Sequence, residues 1–399
     1  MCLRNSAISS GVSCTINARK TLKTVVAGHV CLDIIPQFLQ SVSRLDELVQ
    51  PGKLVQLGPA VVGTGGAVAN TGLALHRLGL PVTLMGKVGD DAFGHAILDV
   101  FRGHDPALVR TMIVDPNVAT SYTVVINLPG IDRSFLHCPG ANDTFAAADV
   151  RPDLLHGMDL FHFGYPPLMR RMYAEAGELR RMIESVKAAG LTTSLDMALP
   201  DPASPAGQTD WSAILTDCLP VVDVFMPSLD EIVHMLDPRE GERIRRRAAD
   251  GIALGGMTPA GVREVAERLI GMGVAAVMIK LGNQGAYLRV TSDRARLARS
   301  GRAAATLQGW AGADFHAPCF AARVAGTTGS GDCAIAGLLA SLAQGLGAAE
   351  AVRMAVAVGS ASVETPDAIS GVPAWDTLLA RVADGWARDR PKVLFAHTA

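Results

Sequence analysis

Short β-branched runs alternate with segments of helical apolar spacing along most of the chain, and this rhythm limits the possible folds more than any other feature. Thr24–Val30 reads as a strand ending in Gly28-His29, followed by Cys31-Leu32-Asp33-Ile34-Ile35-Pro36. Gly63-Thr64-Gly65-Gly66 opens a helical segment from Ala67 to Leu78 that stops at Gly79; Pro81–Val88 then reads as a strand and Ala92–Arg102 as a helix. The pattern resumes with strand Leu160–Phe163, helix Tyr173–Ala189, strands Thr192–Asp196 and Val222–Met226, and a helix from Asp230 to Leu236. Helix Gly261–Gly271 and strands Ala275–Lys280 and Gly285–Val290 complete it. Such alternation implies parallel strands joined by right-handed crossovers, hence an α/β fold with a doubly wound, mostly parallel sheet flanked by helices. Asp33, just past a buried strand, then stands at the carboxyl edge of the sheet, where such folds bind ligands.

One segment breaks the rhythm. Within Ser121–Cys138, Tyr122, Val124 and Ile126 alternate with Thr123, Val125 and Asn127 before a Pro129-Gly130 turn, a hairpin signal. A lone hairpin is marginally stable, so it needs further strands, with Lys53–Leu57 as a candidate, or another subunit. Segments 34–62 and 118–138 are therefore read as a small β-sheet lid on one domain spanning 21–385. Residues 1–20 read as a flexible polar tail. The charged, glycine-punctuated stretch 238–258 and the Arg- and Ala-rich stretch 292–312 read as surface insertions.

With 36 Lys and Arg against 38 Asp and Glu, the chain has no general attraction for nucleic acid or anionic lipid, so a polyphosphate partner must be held by local groups. Its 49% hydrophobic residues suffice for a large core. Seven cysteines, odd in number and without a CxxC pair, fit thiols in a reducing cytoplasm better than a disulfide framework or zinc site. The N-terminus lacks an apolar signal-like run, and no stretch reaches the roughly 18 apolar residues of a spanning helix. The expected location is the cytoplasm, with no membrane or nucleic-acid partner.

The stretch richest in chemistry is Ala325-Gly326-Thr327-Thr328-Gly329-Ser330-Gly331-Asp332, which runs directly into the apolar helix CAIAGLLASLAQG. Its backbone N–H groups can converge on an anion, reinforced by the helix dipole. The glycines fall as GxxGxG, which is neither the Walker loop nor the dinucleotide fingerprint. Asp332, in the first turn, reads either as a helix cap or as a carboxylate beside a γ-phosphoryl group. A helix N-terminus lowers a carboxylate's pKa and weakens it as a base, yet phosphoryl transfer asks a carboxylate to orient a hydroxyl more than to deprotonate it.

These residues resemble the signatures of the ribokinase-like, or PfkB-type, carbohydrate kinases over roughly Lys23 to Trp375. G-T-T-G-S-G-D occupies the place of the family's D-T-T-G-A-G-D. Gly65-Gly66-Ala67-Val68-Ala69-Asn70 matches its Gly-Gly with an Asn four residues beyond, and LALHRLGLPVTLMGKVGDDAFG resembles the continuation. The resemblance implies a ribokinase-like fold and assigns roles. Asp332 would be the catalytic base, with Gly329, Ser330 and Gly331 as the anion hole; Asp33, Gly65, Gly66 and Asn70 would hold the sugar. Ser228, Lys280, Gly282, Gly285 and Thr327 would meet ATP, and Glu231, with Asp196, would organise Mg2+. Ser228 replaces the usual Asn of the P-N-x-x-E motif, and Gly326 replaces the first Asp of the carboxyl-terminal signature, which leaves potassium dependence open. Ala67 stands where ribokinases have Lys, and Tyr165 lies near the place of an acidic sugar contact, so ribose is not favoured. His29, His137 and His162 read as structural, and Arg133 as solvated.

The expected activity is ATP-dependent phosphorylation of a primary hydroxyl of a small sugar. A nucleoside kinase, with Tyr122 or Phe135 stacking the base, and a catalytically weak sugar or nucleotide sensor are the alternatives. A homodimer through the lid is implied by the resemblance alone.

Overall fold

The structure, a computed structural model, describes residues 22–39, 47, 50–128 and 134–396. The expected tail 1–20, the hairpin turn at Pro129-Gly130 and Arg133 lie outside the described residues. In chain order the strands are β1 (Thr24–Gly28), β2 (Cys31–Ile35), β3 (Val61–Gly65), β4 (Val82–Met85), β5 (Lys87–Gly89), β6 (Ile113–Asp115) and β7 (Tyr122–Ile126). There follow β8 (Ser134–Cys138), β9 (Leu160–Gly164), β10 (Thr192–Leu195), β11 (Val224–Phe225), β12 (Ala276–Lys280), β13 (Ala286–Val290) and β14 (Asp314–Ala317).

The main sheet runs β14-β13-β12-β11-β10-β9-β1-β4, parallel from β4 to β12 and antiparallel at β13 and β14. Every residue of β1 is buried, and its two-residue period divides the core. Val26 faces the layer containing Leu73 of the Ala67–Arg77 helix and Leu339 of the Ser330–Gln344 helix. Val25 and Ala27 face Phe161, Phe163 and Ile183 in the opposite layer. Each such large side chain contributes about 1.5–3 kcal/mol on full burial. Where one strand was expected over Pro81–Val88, β4 stops at Met85, and β5 leaves the main sheet to pair with β6.

The lid sheet runs β3-β2-β7-β8. The expected hairpin forms in the register Tyr122↔Cys138 to Ile126↔Ser134, but its sheet partner is β2, which continues from the core strand. Lys53–Leu57 contributes only the bridge Leu57↔Phe38; Lys53, Leu54 and Gln56 are exposed and lack the half-buried alternation of a paired strand.

Of the two stretches expected as surface insertions, 238–258 lies mostly at the surface with Gly241, Ile244 and Gly255 buried, while 292–312 sends several side chains into the core. Pro238–Ala249 is a helix whose Asp237 cap accepts from the Arg239 and Glu240 amides; its Ile244 is buried, and its Gly241 lies against His234. In 292–312, Arg296 reaches Asp223 Oδ1 at 2.9 Å and the Val222 carbonyl at 2.6 Å, while Leu297, Leu307 and Trp310 join the core. A buried arginine is tolerated here because both partners are hydrogen-bond acceptors. The five described cysteines are free, and among the described residues no helix is long and apolar enough to cross a membrane.

Candidate active site

Parallel strands bring their carboxyl ends to one edge. His29 follows β1, Tyr165 follows β9, Asp196 follows β10, Ser228 lies beyond β11, and Lys280 closes β12 beside Ser228. The start of the Ser330–Gln344 helix lies against this edge. Gly329 has φ 70°, and a Cβ there would sit 2.5 Å from Ala368 Cβ and 3.4 Å from Asn70 Cγ. Only glycine adopts this left-handed turn at such close approach without strain.

That approach joins the two signatures. Asn70 Nδ2 donates to Asp332 Oδ2 at 2.9 Å, and Thr71 Oγ1 donates to Oδ1 at 3.4 Å. Tyr165 Oη donates to both carboxylate oxygens, at 2.9 and 2.8 Å. The Asp332 carboxylate thus engages side chains of two other segments. Burial raises its pKa above the ordinary carboxylate value, opposed by the Lys280 charge and the donors Asn70, Tyr165 and Thr71. The lowering expected from the helix N-terminus is overruled, because the group is only 3% exposed and desolvation dominates.

Lys280 Nζ donates to Asp196 Oδ1 at 2.6 Å. Burial alone would lower the Lys280 pKa, but Asp196, Glu231 and Asp332 hold it above its usual value, so the ammonium stays charged. Asp196, expected at a metal, is wholly buried; its Oδ1 is ion-paired with Lys280 while its Oδ2 has no hydrogen-bond partner among the described residues. Glu231 forms a capping box with Ser228: the Ser228 amide donates to Glu231 Oε2 at 2.7 Å, and Ser228 Oγ accepts from the Glu231 amide. Ser228 in place of Asn is therefore an effective helix cap.

Two cavities meet at Lys280, Gly282, Asn283 and Gly331. One is mainly apolar, with Cys319, Phe320, Val324, Val356 and Val363 on its walls and Thr327 and Gly285 at its side. The other, about 480 Å³, carries Tyr165, Ser228, Glu231, Gly329 and Asp332, a volume in the range of small-molecule sites. Among the described residues no three His, Cys, Asp or Glu side chains cluster as a metal cage. Glu231 on the cavity wall and the partnerless buried Oδ2 of Asp196 behind it fit a Mg2+ held through waters and phosphates, since that ion keeps much of its hydration.

The expected sugar-binding residues flank this centre. A methyl on Gly65 would overlap the Asp33 carboxylate, and Gly66, at φ 87°, lies over His29. Cys31 Sγ donates to Asp33 Oδ1 at 3.3 Å, and Thr123 Oγ1 lies 3.6 Å from Cys31 Sγ and 3.0 Å from His137 Nδ1. His137 meets His29 at 3.4 Å, and the His29 ring lies 5.9 Å from that of Tyr165. Burial lowers the pKa of both histidines, which favours their neutral forms. Tyr122, one aromatic candidate for stacking a nucleobase, packs edge-on against Phe93 instead; Phe135 shares the strand face of His137.

Tyr165, Thr71 and the Lys280–Asp196 pair were not anticipated in these arrangements. Only the position of Tyr165, directly after a strand at the ligand edge, hinted at its place. At 326, where the family signature has Asp, a Cβ would stand 2.6 Å from the Pro366 carbonyl oxygen. The loop has closed on the glycine, which does not fit a cation site built on a side chain there.

A doubly wound sheet with a buried carboxylate at the glycine-rich start of a helix on its carboxyl edge is the arrangement of an α/β kinase. The chain belongs to the pfkB family of carbohydrate kinases, whose profile matches residues 23–375. It is 24% identical over 331 residues to 2-dehydro-3-deoxygluconokinase of Bacillus subtilis (strain 168), covering 82% of this chain and 89% of that protein. The fold matches Arabidopsis thaliana ribokinase complexed with ribose and ATP, with a TM-score of 0.68 and 18% identity over 90% of this chain and 98% of that one. It also matches Xylella fastidiosa fructokinase with bound ATP, with a TM-score of 0.68 and 19% identity over 91% and 99%.

Proposed function

We propose that the protein transfers the γ-phosphoryl group of ATP to a primary hydroxyl of a small sugar. The observation that carries this reading is the meeting at 2.9 Å of Asn70 with Asp332, which lines a cavity sharing walls with an apolar pocket suited to a nucleobase. Asp332 accepts the acceptor's hydrogen bond, orients its oxygen and takes its proton at a carboxylate oxygen; a raised pKa suits this exchange. The amides of Gly329, Ser330 and Gly331 receive charge developing on the phosphoryl oxygens, and Lys280, held by Asp196, adds a fixed cation. Mg2+ near Glu231 supplies charge neutralisation of the β- and γ-phosphates when bound. Asp33, Gly65 and Asn70 hold the sugar, and closure of the β lid excludes water that would otherwise hydrolyse ATP. The exposed Val61, Val62, Phe135 and Leu136 of the lid support pairing of two copies there.

The test is ADP release with ATP, Mg2+ and a panel of aldoses, ketoses, sugar acids and nucleosides. The expected result is turnover with at least one sugar. Turnover with nucleosides alone would make the protein a nucleoside kinase, and sugar binding without ADP would favour the sensor.

A further inference from the structure

The cavity beside Asp332 has a wall that the family signatures do not supply. Ile244, Arg245, Ala248 and Leu254, from the Pro238–Ala249 helix and the turn after it, face Tyr165, Glu231, Lys280 and Gly331 across it. The helix is fixed: Asp237 caps it, and Ile244 is 3% exposed against the core. Arg245 is held along one edge by Glu242, whose Oε2 lies 2.7 Å from Nη2, while its Nε is buried with no hydrogen-bond partner among the described residues. The side chain is 26% exposed and lines the cavity, so a ligand oxygen meets the guanidinium at its Nη groups and not at the screened Nε.

The cavity is otherwise rich in carboxylates, so an anionic ligand can be seated in it only against a cation. Asp230, Glu231 and Asp332 line the cavity, and Lys280, the other cation there, is already engaged by Asp196. A polyphosphate entering this space needs a further cation, and the planar guanidinium fork suits phosphate oxygens. The apolar cavity that suits the base does not include Arg245, which places the arginine at the far end of the nucleotide. Resting on the ATP-dependent reading above, we propose that Arg245 is a ligand of the terminal phosphates, delivered by the Pro238–Ala249 helix.

Calorimetry on the full chain tests this with Arg245→Gln and Arg245→Lys, using a nonhydrolysable ATP analogue and AMP. Arg245→Gln should weaken the ATP analogue by about ten- to a hundredfold, as for loss of a charged hydrogen bond, and leave AMP unchanged. Arg245→Lys should recover part of the loss. Unchanged affinity for the ATP analogue in Arg245→Gln, or equal weakening of AMP, would overturn the proposal and leave the ATP-dependent reading standing. A wild-type protein that binds neither nucleotide would overturn that reading and the proposal together.

Discussion

The Tyr165 hydroxyl bridges the two carboxylate oxygens of Asp332, 2.9 Å from Oδ1 and 2.8 Å from Oδ2. Tyr165 is left-handed, at φ 67° and ψ 42°, immediately after β9, a conformation that costs a non-glycine residue about 1–2 kcal/mol. Buried Pro166 and Pro167 follow it and fix the chain there. The turn aims the phenol at the Asp332 carboxylate, the group proposed to accept the hydrogen bond of the substrate hydroxyl. Tyr165 therefore positions Asp332 and partly stabilises its ionised form.

Tyr165→Phe should move the acid limb of the kcat/KM profile to higher pH. Burial already raises the Asp332 pKa, and Tyr165 is one of the donors opposing that rise; removing it favours the protonated acid further. The direction of the shift, toward higher pH, is the expected result. An unmoved limb would show that the phenol does not tune Asp332.

Gly329→Ala and Gly331→Ala should separate fold from site. At 329 a methyl meets Ala368 at 2.5 Å with φ 70°, so a loss of about 2 kcal/mol or more is expected in urea unfolding. At 331 the nearest atom is Lys280 Cδ at 3.4 Å, an ordinary contact, but the residue lines both cavities. Gly331→Ala should therefore keep stability and weaken nucleotide binding. Equal stability losses at the two positions would contradict this.

His162 should make the protein acid-sensitive. Burial, with the Lys280 charge adding to it, lowers its pKa to about 3, while Ser194 Oγ takes its Nδ1 at 2.9 Å. Below about pH 6.5 the unfolded chain binds a proton there that the folded chain refuses. Stability therefore falls as pH drops through that window, by about 1.4 kcal/mol per unit. His162→Asn should remove about 2 kcal/mol of the difference in unfolding free energy between pH 7 and pH 5; an unaltered difference would contradict the assignment.

Activity should not require potassium. Gly326 carries no side chain, and the Pro366 carbonyl occupies the space beside it. Initial rates in sodium and potassium buffers of equal ionic strength should agree, and strong activation by potassium would contradict the closed loop.

Much of this architecture was legible because apolar period and glycine placement are local signals. β1, β9, β10, β12 and β13 fell close to their expected bounds, and the existence of the hairpin followed from its alternation. Asn70 and Asp332, 262 positions apart, were joined only by the resemblance, and the 2.9 Å bond bears that pairing out as geometry. The Pro238–Ala249 helix was hidden by its charge: Gly241 and Ile244 alone face inward, too few to show a helical stripe. The Lys280 contact of Asp196 was not legible because residue type does not reveal that Lys280, from a strand two positions away in the sheet, reaches it. Tyr165 depends on a left-handed turn, which only coordinates reveal.

The central claim is that the Asp332 carboxylate accepts the proton of the substrate hydroxyl. Asp332→Asn keeps the shape and the contacts' reach while removing the charge, so ADP release with the best sugar, measured alongside calorimetric ATP-analogue binding, isolates that role. Turnover should drop by about a hundred- to ten-thousandfold with nucleotide affinity preserved. Near wild-type turnover in Asp332→Asn would contradict the account.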